Sequence, residues 1–269
     1  MKILITGHKG FIGQNMMSYL ESKHEVAGYD FDPENLPFVK DYDWVIHLGA
    51  ISSTTESDVD KVILHNYEFT KWLFNQCNHY KVNMQYASSA SVYGNTTHFT
   101  EDGPSDPKSP YAWSKYLVDR WITGMHPQIT VQGFRYFNVY GPCEEHKGDQ
   151  SSPISKFTSQ AKENNKITLF TNSENYKRDF VCVSDICEVH EKMFNVKDSG
   201  IWNIGTGHAT SFQVVADIIA KKYNADIKYV PMPENLRNQY QEYTCANLNR
   251  LSTVVKHQFK TVEEYINEC

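Results

Sequence analysis

The sequence predicts an α/β fold in which a doubly wound parallel sheet, with one βα unit trimmed, is followed by a small C-terminal α/β lobe. Three observations predict it. An apolar strand runs directly into a glycine-rich turn at residues 7–13, strands and helices alternate along the first half, and the second half is less regular. Such alternation is typical of parallel strands joined by helices that cover both faces of the sheet.

The first strand, turn and helix carry the most specific signal. Ile3–Ile5 is an apolar run of strand length, and 11–19 reads as a helix. Between them, Gly7 allows a tight turn, Gly10 lets backbone amides approach phosphates, and Gly13 lets the helix pack closely on the sheet. The helix N-terminus adds a partial positive charge. The pattern therefore predicts a Rossmann site for the pyrophosphate of a dinucleotide.

The segment after the second strand is unusually short. The strand at 25–29 leads into Asp30, an acid placed to hydrogen-bond the adenosine ribose. Only thirteen residues separate Asp30 from Trp44, which opens the next strand at 44–48. Because a crossover helix and a further strand need more chain, we expect a loop here. The other elements predicted in the first half are a helix at 58–79, a strand at 83–87, a helix that Ser109 caps and that ends near Gly124, and a strand at 129–137.

The second half is predicted as a mixture of helices and short strands. We assign residues 1–140 to the dinucleotide-binding domain, with 179–205 returning to it. Residues 141–178 and 206–269 are expected to form a substrate-binding lobe. The predicted strands are 167–170, 179–183 and 201–204. The predicted helices are 154–164, a helix that Ser184 and Asp185 cap and that ends at 194, a helix that Ser211 caps, and 261–267.

Composition excludes several classes of function. The net charge is −6 with no basic block, which argues against nucleic-acid binding and favours a small-molecule partner. The six cysteines form no CxxC pair, and the eleven histidines include no HExxH, so we expect reduced thiols and no metal site. No apolar stretch is long enough to span a membrane, and the first strand leaves no room for a signal peptide. We therefore expect a cytoplasmic protein without a membrane partner.

Tyr111 and Lys115 lie four residues apart on one predicted helical face. A free tyrosine has a pKa of about 10, and lowering it by ~3 units needs about 4 kcal/mol. A lysine one turn away and an oxidised nicotinamide could both supply this. Ser89 follows a strand at the carboxyl edge of the sheet, where such folds bind ligands, and its hydroxyl could orient a substrate. An exposed helix pair and a serine-rich loop are the alternatives.

Together, the TGxxGxxG turn, the serine after the middle strand and the YxxxK pair resemble the extended short-chain dehydrogenase/reductase family of NAD-dependent epimerases and dehydratases. The resemblance covers nearly the whole chain except the short segment after Asp30. Further segments are similar to ADP-glycero-manno-heptose 6-epimerases, namely 47–56, 133–142, 146–148, 173–181 and 203–207.

The resemblance implies a role for each matched residue. Tyr111 would be one acid/base, and Lys115 would bind the nicotinamide ribose and tune Tyr111. Ser89 would orient the reacting hydroxyl, and Lys147 would be a second acid/base. The implied cofactor contacts are Gly7, Lys9, Gly10, Phe11, Ile12, Gly13, Asp30, Leu48, Gly49, Ala50, Ser52, Asn66, Tyr111, Lys115 and Val139. The implied substrate contacts are Ser89, Asn138, Lys147, Asp149, Phe170, Arg178 and Tyr240.

Several of these residues have structural alternatives. Lys147 lies in the charged segment 144–147, where an exposed ion-pairing lysine is ordinary, and Arg178 could pair with Asp179. The chain also departs from the epimerase pattern, because Lys156 replaces an expected histidine and Asp149 an expected serine.

The function expected from this pattern is epimerisation of a nucleotide sugar by transient oxidation, with ADP-glycero-manno-heptose as substrate. The alternatives are a UDP- or GDP-sugar 4-epimerase, a keto-sugar reductase, and a non-catalytic NAD(P)-sensing module. Asp30 and Asp32 favour NAD, whereas Lys9 could pair with a 2′-phosphate and the resemblance implies NADP, so we expect NADP in preference to NAD. The long helices at 58–79 and 109–124, with the resemblance, suggest a homo-oligomer.

Overall fold

The computed structural model describes residues 1–53, 55–234 and 241–269. Its strands are β1 (Lys2–Thr6), β2 (Glu25–Tyr29), β3 (Trp44–His47), β4 (Asn83–Ser89), β5 (Val131–Tyr136), β6 (Asn138–Tyr140), β7 (Lys166–Phe170), β8 (Lys177–Cys182), β9 (Gly200–Ile204), β10 (Ala209–Ser211) and β11 (Asp226–Val230). Its α-helices are α1 (Phe11–Glu21), α2 (Val59–Val62), α3 (Phe69–Tyr80), α4 (Pro110–Thr123), α5 (Pro153–Asn164), α6 (Val183–Met193), α7 (Phe212–Tyr223), α8 (Asn249–Val254) and α9 (Val262–Glu268). A π-helical segment (Ile63–Glu68) joins α2 to α3, and 3₁₀ turns cover Ala90–Tyr93 and Glu145–Gln150.

The main sheet is built from parallel strands around β1. Within the described residues, six strands pair in the order β2-β1-β3-β4-β5-β9. The chain runs outward from β1 to β2 and then returns to the other side of β1 as β3. Because ligands bind where the strand order reverses, a crevice is expected beyond the carboxyl ends of β1 and β3.

Both faces of the sheet are covered because the strands are apolar on both sides. Ile3 and Ile5 of β1 pack on one face with residues of α1 and α6, such as Met16 and Ile186. Leu4 points to the other face, into a cluster with residues of α3 and α4. This two-sided burial is typical of a parallel sheet between helical layers. The predicted fold class is confirmed.

A second set of elements follows the main sheet. Strands β10, β8 and β6 form a small sheet, and β11 pairs with β7. Helices α5, α7 and α9 pack together around a core that includes Ile154, Val215, Ile219 and Val262. The assignment of 1–140 with 179–205 to one domain, and of the remaining residues to another, stays a prediction.

Local sequence patterns predicted most helices at the positions that the structure shows. The described residues 30–43 hold turns and no helix or strand, which confirms the trimmed connection. Ser109 caps α4 by accepting from the amide of Ala112 at 3.2 Å, and Ser211 caps α7 by accepting from the amide of Val214 at 3.2 Å. The predicted cap at Ser184 is wrong. Helix α6 begins at Val183, with Cys182 as its N-cap and no side-chain capping bond.

Candidate active site

The glycine turn between β1 and α1 is closely packed. Gly7 has a φ of +72°, and a Cβ there would lie 2.5 Å from Gly49. A Cβ on Gly13 would lie 2.1 Å from the carbonyl oxygen of Gly7. Gly10, the N-cap of α1, supplies no side-chain capping bond, so the helix begins with open amides. Such a helix start fits an anion such as the pyrophosphate of a dinucleotide.

A groove of about 380 Å³ runs past this turn. The loop after β3 forms one wall, and Asp30 lies at the end of β2. The carboxylate of Asp30 is 3.6 Å from Nδ1 of His8 and 3.5 Å from Nζ of Lys9. The groove is lined by Thr6, Gly7, Gly10, Phe11, Ile12, Gly13, Asp30, Phe31, Leu48, Gly49, Ala50, Ile51, Ser52, His65, Phe69, His146 and Lys147. Most of the predicted cofactor residues therefore share one groove that fits a dinucleotide.

Asn66 lies behind this groove rather than along it. Its side chain is completely buried in the π-helical segment. The side-chain amide donates to the carbonyl of Ile51 at 2.9 Å, and its oxygen accepts from the amide of Ile51 at 2.8 Å. It also donates to Ser114 of α4 at 3.0 Å, and the Ser114 hydroxyl donates to the carbonyl of Tyr111 at 2.7 Å. Asn66 thus connects the groove loop to the helix that carries Tyr111.

Tyr111, Lys115 and Ser89 come together where β4 meets α4. Ser89 is the last residue of β4, and its hydroxyl accepts from the amide of Ser91 at 3.1 Å. Nζ of Lys115 donates to the carbonyl of Ala87 at 2.8 Å and lies 5.9 Å from the centre of the Tyr111 ring. The spacing of four residues therefore places phenol and ammonium on one face of α4, as predicted.

Burial changes the acidity of both groups. It raises the pKa of Tyr111 above its ordinary value, and the nearby Ser89 hydroxyl offsets part of that rise. Burial lowers the pKa of Lys115 to about 8, and the charge of Asp119 opposes this change. A phenol in this setting keeps its proton unless a further positive charge arrives, and an oxidised nicotinamide is such a charge.

Asp119 lies one helical turn beyond Lys115 and is completely buried. It accepts hydrogen bonds from the side chains of Tyr86, Ser88 and Arg135, at 3.1, 3.0 and 2.8 Å. A buried carboxylate is tolerated only when it is paired in this way. The network joins α4 to the carboxyl ends of β4 and β5, next to Ser89.

A second cavity of about 430 Å³ lies beside the groove. Lys147 lines both spaces, and its Nζ is 5.0 Å from the centre of the Phe11 ring. Burial lowers the pKa of Lys147, Glu144 opposes this, and Lys156 adds to it. The second cavity is lined by Phe11, Ile12, Ser52, Thr55, Ser88, Ser89, Tyr111, Tyr136, Phe137, Asn138, Val139, Lys147, Gln150, Ser151, Ser152 and Pro153.

The turn that carries Lys147 is fixed at both ends. Buried Glu144 accepts from the amide of Gly141 at 3.0 Å and from the hydroxyl of Ser152 at 2.7 Å. Gln150 donates to the hydroxyl of Ser53 at 2.7 Å, across the mouth of the cavity. The turn therefore fixes Lys147 beside the cavity that Tyr111 and Ser89 also line. Asp149 belongs to the same turn.

The predicted nucleotide contacts are arranged differently. Phe170 ends β7, and Arg178 lies in β8; neither is among the lining residues of the two cavities. Arg178 donates to the carbonyls of Lys177 and Gln241, and its guanidinium carbon is 5.6 Å from the centre of the Phe212 ring. Tyr240 lies outside the described residues.

Sequence reasoning did not include several lining residues. Phe31, His65 and Phe69 line the groove, and Thr55 and Tyr136 line the second cavity. The position of Phe31 next to Asp30 was a usable signal, since both follow β2. Thr55 lies in the loop after β3, and His65, Phe69 and Tyr136 come from helical segments or a strand end whose facing sides depend on the folded packing.

Two general observations concern the whole described chain. Across 1–53, 55–234 and 241–269, no group of histidine, cysteine, aspartate or glutamate side chains could hold a metal ion. Among the helices in these ranges, none is both long and apolar enough to cross a membrane.

Comparison with known proteins gives the same picture of the fold. The family model described as the NAD dependent epimerase/dehydratase family matches residues 3–205. ADP-L-glycero-D-manno-heptose-6-epimerase from Helicobacter pylori has a TM-score of 0.88 and 24% identity, covering 99% of this chain and 94% of that chain.

Two 4-epimerase structures are also similar. UDP-N-acetylglucosamine 4-epimerase from Methanobrevibacter ruminantium, solved with UDP-N-acetylmuramic acid, has a TM-score of 0.87 at 21% identity, covering 99% and 97% of the two chains. UDP-glucose 4-epimerase from Thermus thermophilus, in complex with NAD, has a TM-score of 0.80 at 25% identity, covering 99% and 98%.

Proposed function

The chain belongs to the NAD dependent epimerase/dehydratase family, and from that premise we propose that it epimerises a nucleotide sugar by transient oxidation and re-reduction. One observation carries the proposal. Tyr111, Ser89 and Lys147 line one cavity, and Lys147 also lines the adjoining dinucleotide groove. A sugar in that cavity would contact two acid/base groups and lie next to the cofactor, as inversion of a hydroxyl-bearing carbon requires.

Tyr111 is the first acid/base in this proposal. A bound nicotinamide would supply the redox chemistry by accepting a hydride from the sugar carbon and later returning it. Tyr111 removes the hydroxyl proton, Ser89 holds the hydroxyl beside it, and Lys115 stabilises the phenolate. The hydrogen bond that Lys115 donates to the carbonyl of Ala87 fixes the ammonium 5.9 Å from the centre of the Tyr111 ring.

Lys147 is the second acid/base. Inversion needs proton transfer at two faces of the sugar carbon, and one tyrosine serves only one face. Burial lowers the pKa of Lys147, which brings a lysine closer to the range of a working base. The bonds of Glu144 and Gln150 that fix its turn support a positioned side chain rather than a free surface lysine.

The proposed substrate is ADP-glycero-manno-heptose. Support comes from the segments that resemble heptose epimerases, and from the similarity in fold to the Helicobacter pylori enzyme. Asn138 and Asp149 are proposed to contact the sugar, and Phe170 and Arg178 the nucleotide diphosphate. A UDP- or GDP-sugar 4-epimerase or a keto-sugar reductase would use the same Tyr111 and Lys115. A cofactor sensor would not need this complete acid/base set.

We propose NAD as the cofactor within this scheme. The carboxylate of Asp30 lies in the groove where it would repel a 2′-phosphate. Lys9, which could pair with such a phosphate, is already 3.5 Å from Asp30. The preference for NADP expected from the sequence stays a prediction. Measuring the affinities of the wild type and of the Asp30→Asn variant for NAD and for NADP distinguishes the two cofactors.

All six cysteines are free thiols, which supports the proposal of a reducing, cytoplasmic setting.

The test of the function uses purified protein, ADP-D-glycero-D-manno-heptose and a catalytic amount of NAD. We expect conversion to the L-glycero epimer with no net change in nicotinamide absorbance. NMR of the C6 configuration measures the conversion. In a separate assay that supplies a reduced cofactor and a keto sugar, stoichiometric oxidation of that cofactor would favour the reductase. Conversion of UDP-glucose but not of the heptose would favour the 4-epimerase, and absence of both conversions would contradict the proposal.

A further inference from the structure

A string of hydrogen-bonded polar side chains, Tyr136–His190–Gln85–Gln132, crosses the interior next to the second cavity. Gln85 of β4, Gln132 of β5 and His190 of α6 are completely buried. The hydroxyl of Tyr136 is 2.6 Å from Nε2 of His190, and Nδ1 of His190 is 2.7 Å from Oε1 of Gln85. Burying a polar group costs free energy unless the group is hydrogen-bonded. Each donor in this set must therefore meet an acceptor, which determines which atom donates in each hydrogen bond.

The direction is set at the far end by backbone carbonyls. Nε2 of Gln132 faces the carbonyl oxygens of Met193 and Val196, at 3.1 and 2.9 Å. Only an NH₂ group can serve two carbonyl acceptors, so the oxygen of Gln132 points the other way. That oxygen accepts from Nε2 of Gln85 at 2.9 Å, and Nε2 of Gln85 also donates to the carbonyl of His190 at 3.1 Å.

The same logic fixes the imidazole. With its nitrogen committed, Gln85 offers only its oxygen to His190, so Nδ1 of His190 must carry the proton. Burial lowers the pKa of His190 to about 3, and the ring therefore stays neutral, with a lone pair on Nε2. Burial, with Cys187 and Tyr111 nearby, holds the pKa of Tyr136 well above its usual value. The Tyr136 hydroxyl thus keeps its proton and donates it to His190.

Tyr136 is also a wall of the second cavity. It lines that space together with Ile12 and Val139, and both pack against the same apolar cluster as Tyr136. Ile12 follows the glycine turn and also lines the dinucleotide groove. Tyr136 therefore lies in the wall of the second cavity together with Ile12, which lines both spaces, and the only proton of its hydroxyl is directed toward His190.

We propose that Tyr136 is a dedicated hydrogen-bond acceptor in the wall of the second cavity, where it binds an N–H or O–H donor of the ligands. Two donors have this chemistry: the carboxamide N–H of a nicotinamide, and a sugar hydroxyl. The inference builds on the proposed function, because it assumes that cofactor and sugar meet here. A carbonyl or phosphate oxygen at this position would face lone pairs and be rejected.

The first experiment tests, without any ligand, which atoms donate in the hydrogen bonds of the string. In protein labelled with ¹⁵N-histidine, we expect His190 to show the neutral tautomer protonated at Nδ1, and the Tyr136→Phe variant identifies its Nε2 signal by shifting it. An Nε2-protonated ring would overturn the inference.

The second experiment measures affinity. One lost neutral hydrogen bond corresponds to about 2- to 10-fold in a dissociation constant. If the donor is the carboxamide, Tyr136→Phe weakens NAD by that factor but leaves 3-acetylpyridine adenine dinucleotide, which lacks the amide N–H, unchanged. If the donor is a sugar hydroxyl, NAD is unaffected and ADP-D-glycero-D-manno-heptose binds about 2- to 10-fold more weakly to the NAD-loaded variant.

The matched control is Tyr140→Phe, because the Tyr140 hydroxyl is buried without a hydrogen-bond partner. It should leave all three affinities unchanged. Unchanged NAD and heptose affinities in Tyr136→Phe would overturn the inference. Failure of the wild-type protein to bind the heptose would contradict the proposed substrate, while the tautomer and the NAD measurements would still decide the role of Tyr136.

Discussion

At the scale of single residues, Tyr111 has the most direct expected effect. The Tyr111→Phe variant keeps the aromatic ring in the cavity wall and loses only the hydroxyl that exchanges the proton. Because a positioned acid/base contributes about 100- to 10,000-fold to rate, we expect turnover to fall by that factor. NMR of the sugar measures turnover, and thermal unfolding checks the fold.

Tyr116 provides the control for this variant. It lies on the same helix but outside the residues that line the two cavities. Tyr116→Phe should retain wild-type turnover. A Tyr111→Phe enzyme with nearly wild-type turnover would show that another group transfers the proton.

Lys115 gives a prediction about stability and pH. Its pKa falls from 10.5 to about 8 on folding because of burial. Between about pH 8 and 10.5 the unfolded chain therefore binds more protons at this site, so stability contributed here rises with pH in that window. The shift corresponds to roughly 3 kcal/mol between the two limits.

The measurement compares urea unfolding of wild type and Lys115→Met at about pH 8 and about pH 10, near the two ends of that window. Methionine keeps the length of the side chain and removes the titration. We expect the wild-type free energy of unfolding to rise relative to that of the variant as pH increases. Parallel pH profiles for the two proteins would contradict a lowered pKa at Lys115.

At the scale of elements, the contact between α1 and β1 depends on Gly13. A Cβ on Gly13 would lie 2.1 Å from the carbonyl oxygen of Gly7 and 2.8 Å from Cα of His8. We expect Gly13→Ala to destabilise the protein by about 1–3 kcal/mol, since backbone has to move, and to weaken NAD binding. Urea unfolding and fluorescence titration with NAD measure the two effects.

Gly124 is the matched control for that substitution. It ends α4 with an ordinary φ of −80°, and a Cβ there would meet its nearest atom at 3.5 Å. Gly124→Ala should therefore be neutral or stabilising by up to about 1 kcal/mol, with NAD binding unchanged. A Gly13→Ala protein that binds NAD normally would contradict the close approach of α1 to the phosphates.

The elements also show what local sequence can predict. Ser109 followed by Pro110 predicted the start of α4, because capping depends on neighbouring residues only. The same reasoning failed at Ser184, because the N-cap of α6 is Cys182, two residues earlier, and the first helical residue is the buried Val183. Strand β11 was not predicted, although its residues 226–229 alternate between polar and apolar, and the π-helical segment lies within the helix predicted at 58–79.

Some residues of the candidate site could likewise be predicted from local sequence, and others could not. Tyr111 and Lys115 were predictable because one helical turn joins them. The pairing of Asp119 with Arg135, and the anchoring of the groove loop by Asn66, join residues that are far apart in sequence. Single-sequence patterns carry no information on such pairs, so only the folded structure shows the network beneath the phenol.

At the scale of the whole molecule, Asp179 shows how the predicted units are joined. Its buried carboxylate accepts from the amides of Thr206, Gly207 and Ala246, at 2.7, 2.9 and 2.9 Å. The predicted boundary at 205 therefore lies within a single hydrogen-bonded cluster. We propose that cofactor-binding residues 1–140 and 179–205 and the substrate-binding remainder move little relative to each other at this point.

The last prediction concerns assembly. Leu64 and Trp113 lie on the π-helical segment and on α4, which pack against each other, and their exposed fractions are 54% and 48%. Single exposed apolar residues are ordinary, but two on adjoining helices favour burial against a second copy. We expect wild type to sediment as a dimer and Leu64→Glu with Trp113→Glu to sediment as a monomer at the same micromolar concentration. Val214→Glu, a substitution on α7 at a side chain exposed by 46%, should leave the dimer intact, and a monomeric wild type would contradict the prediction.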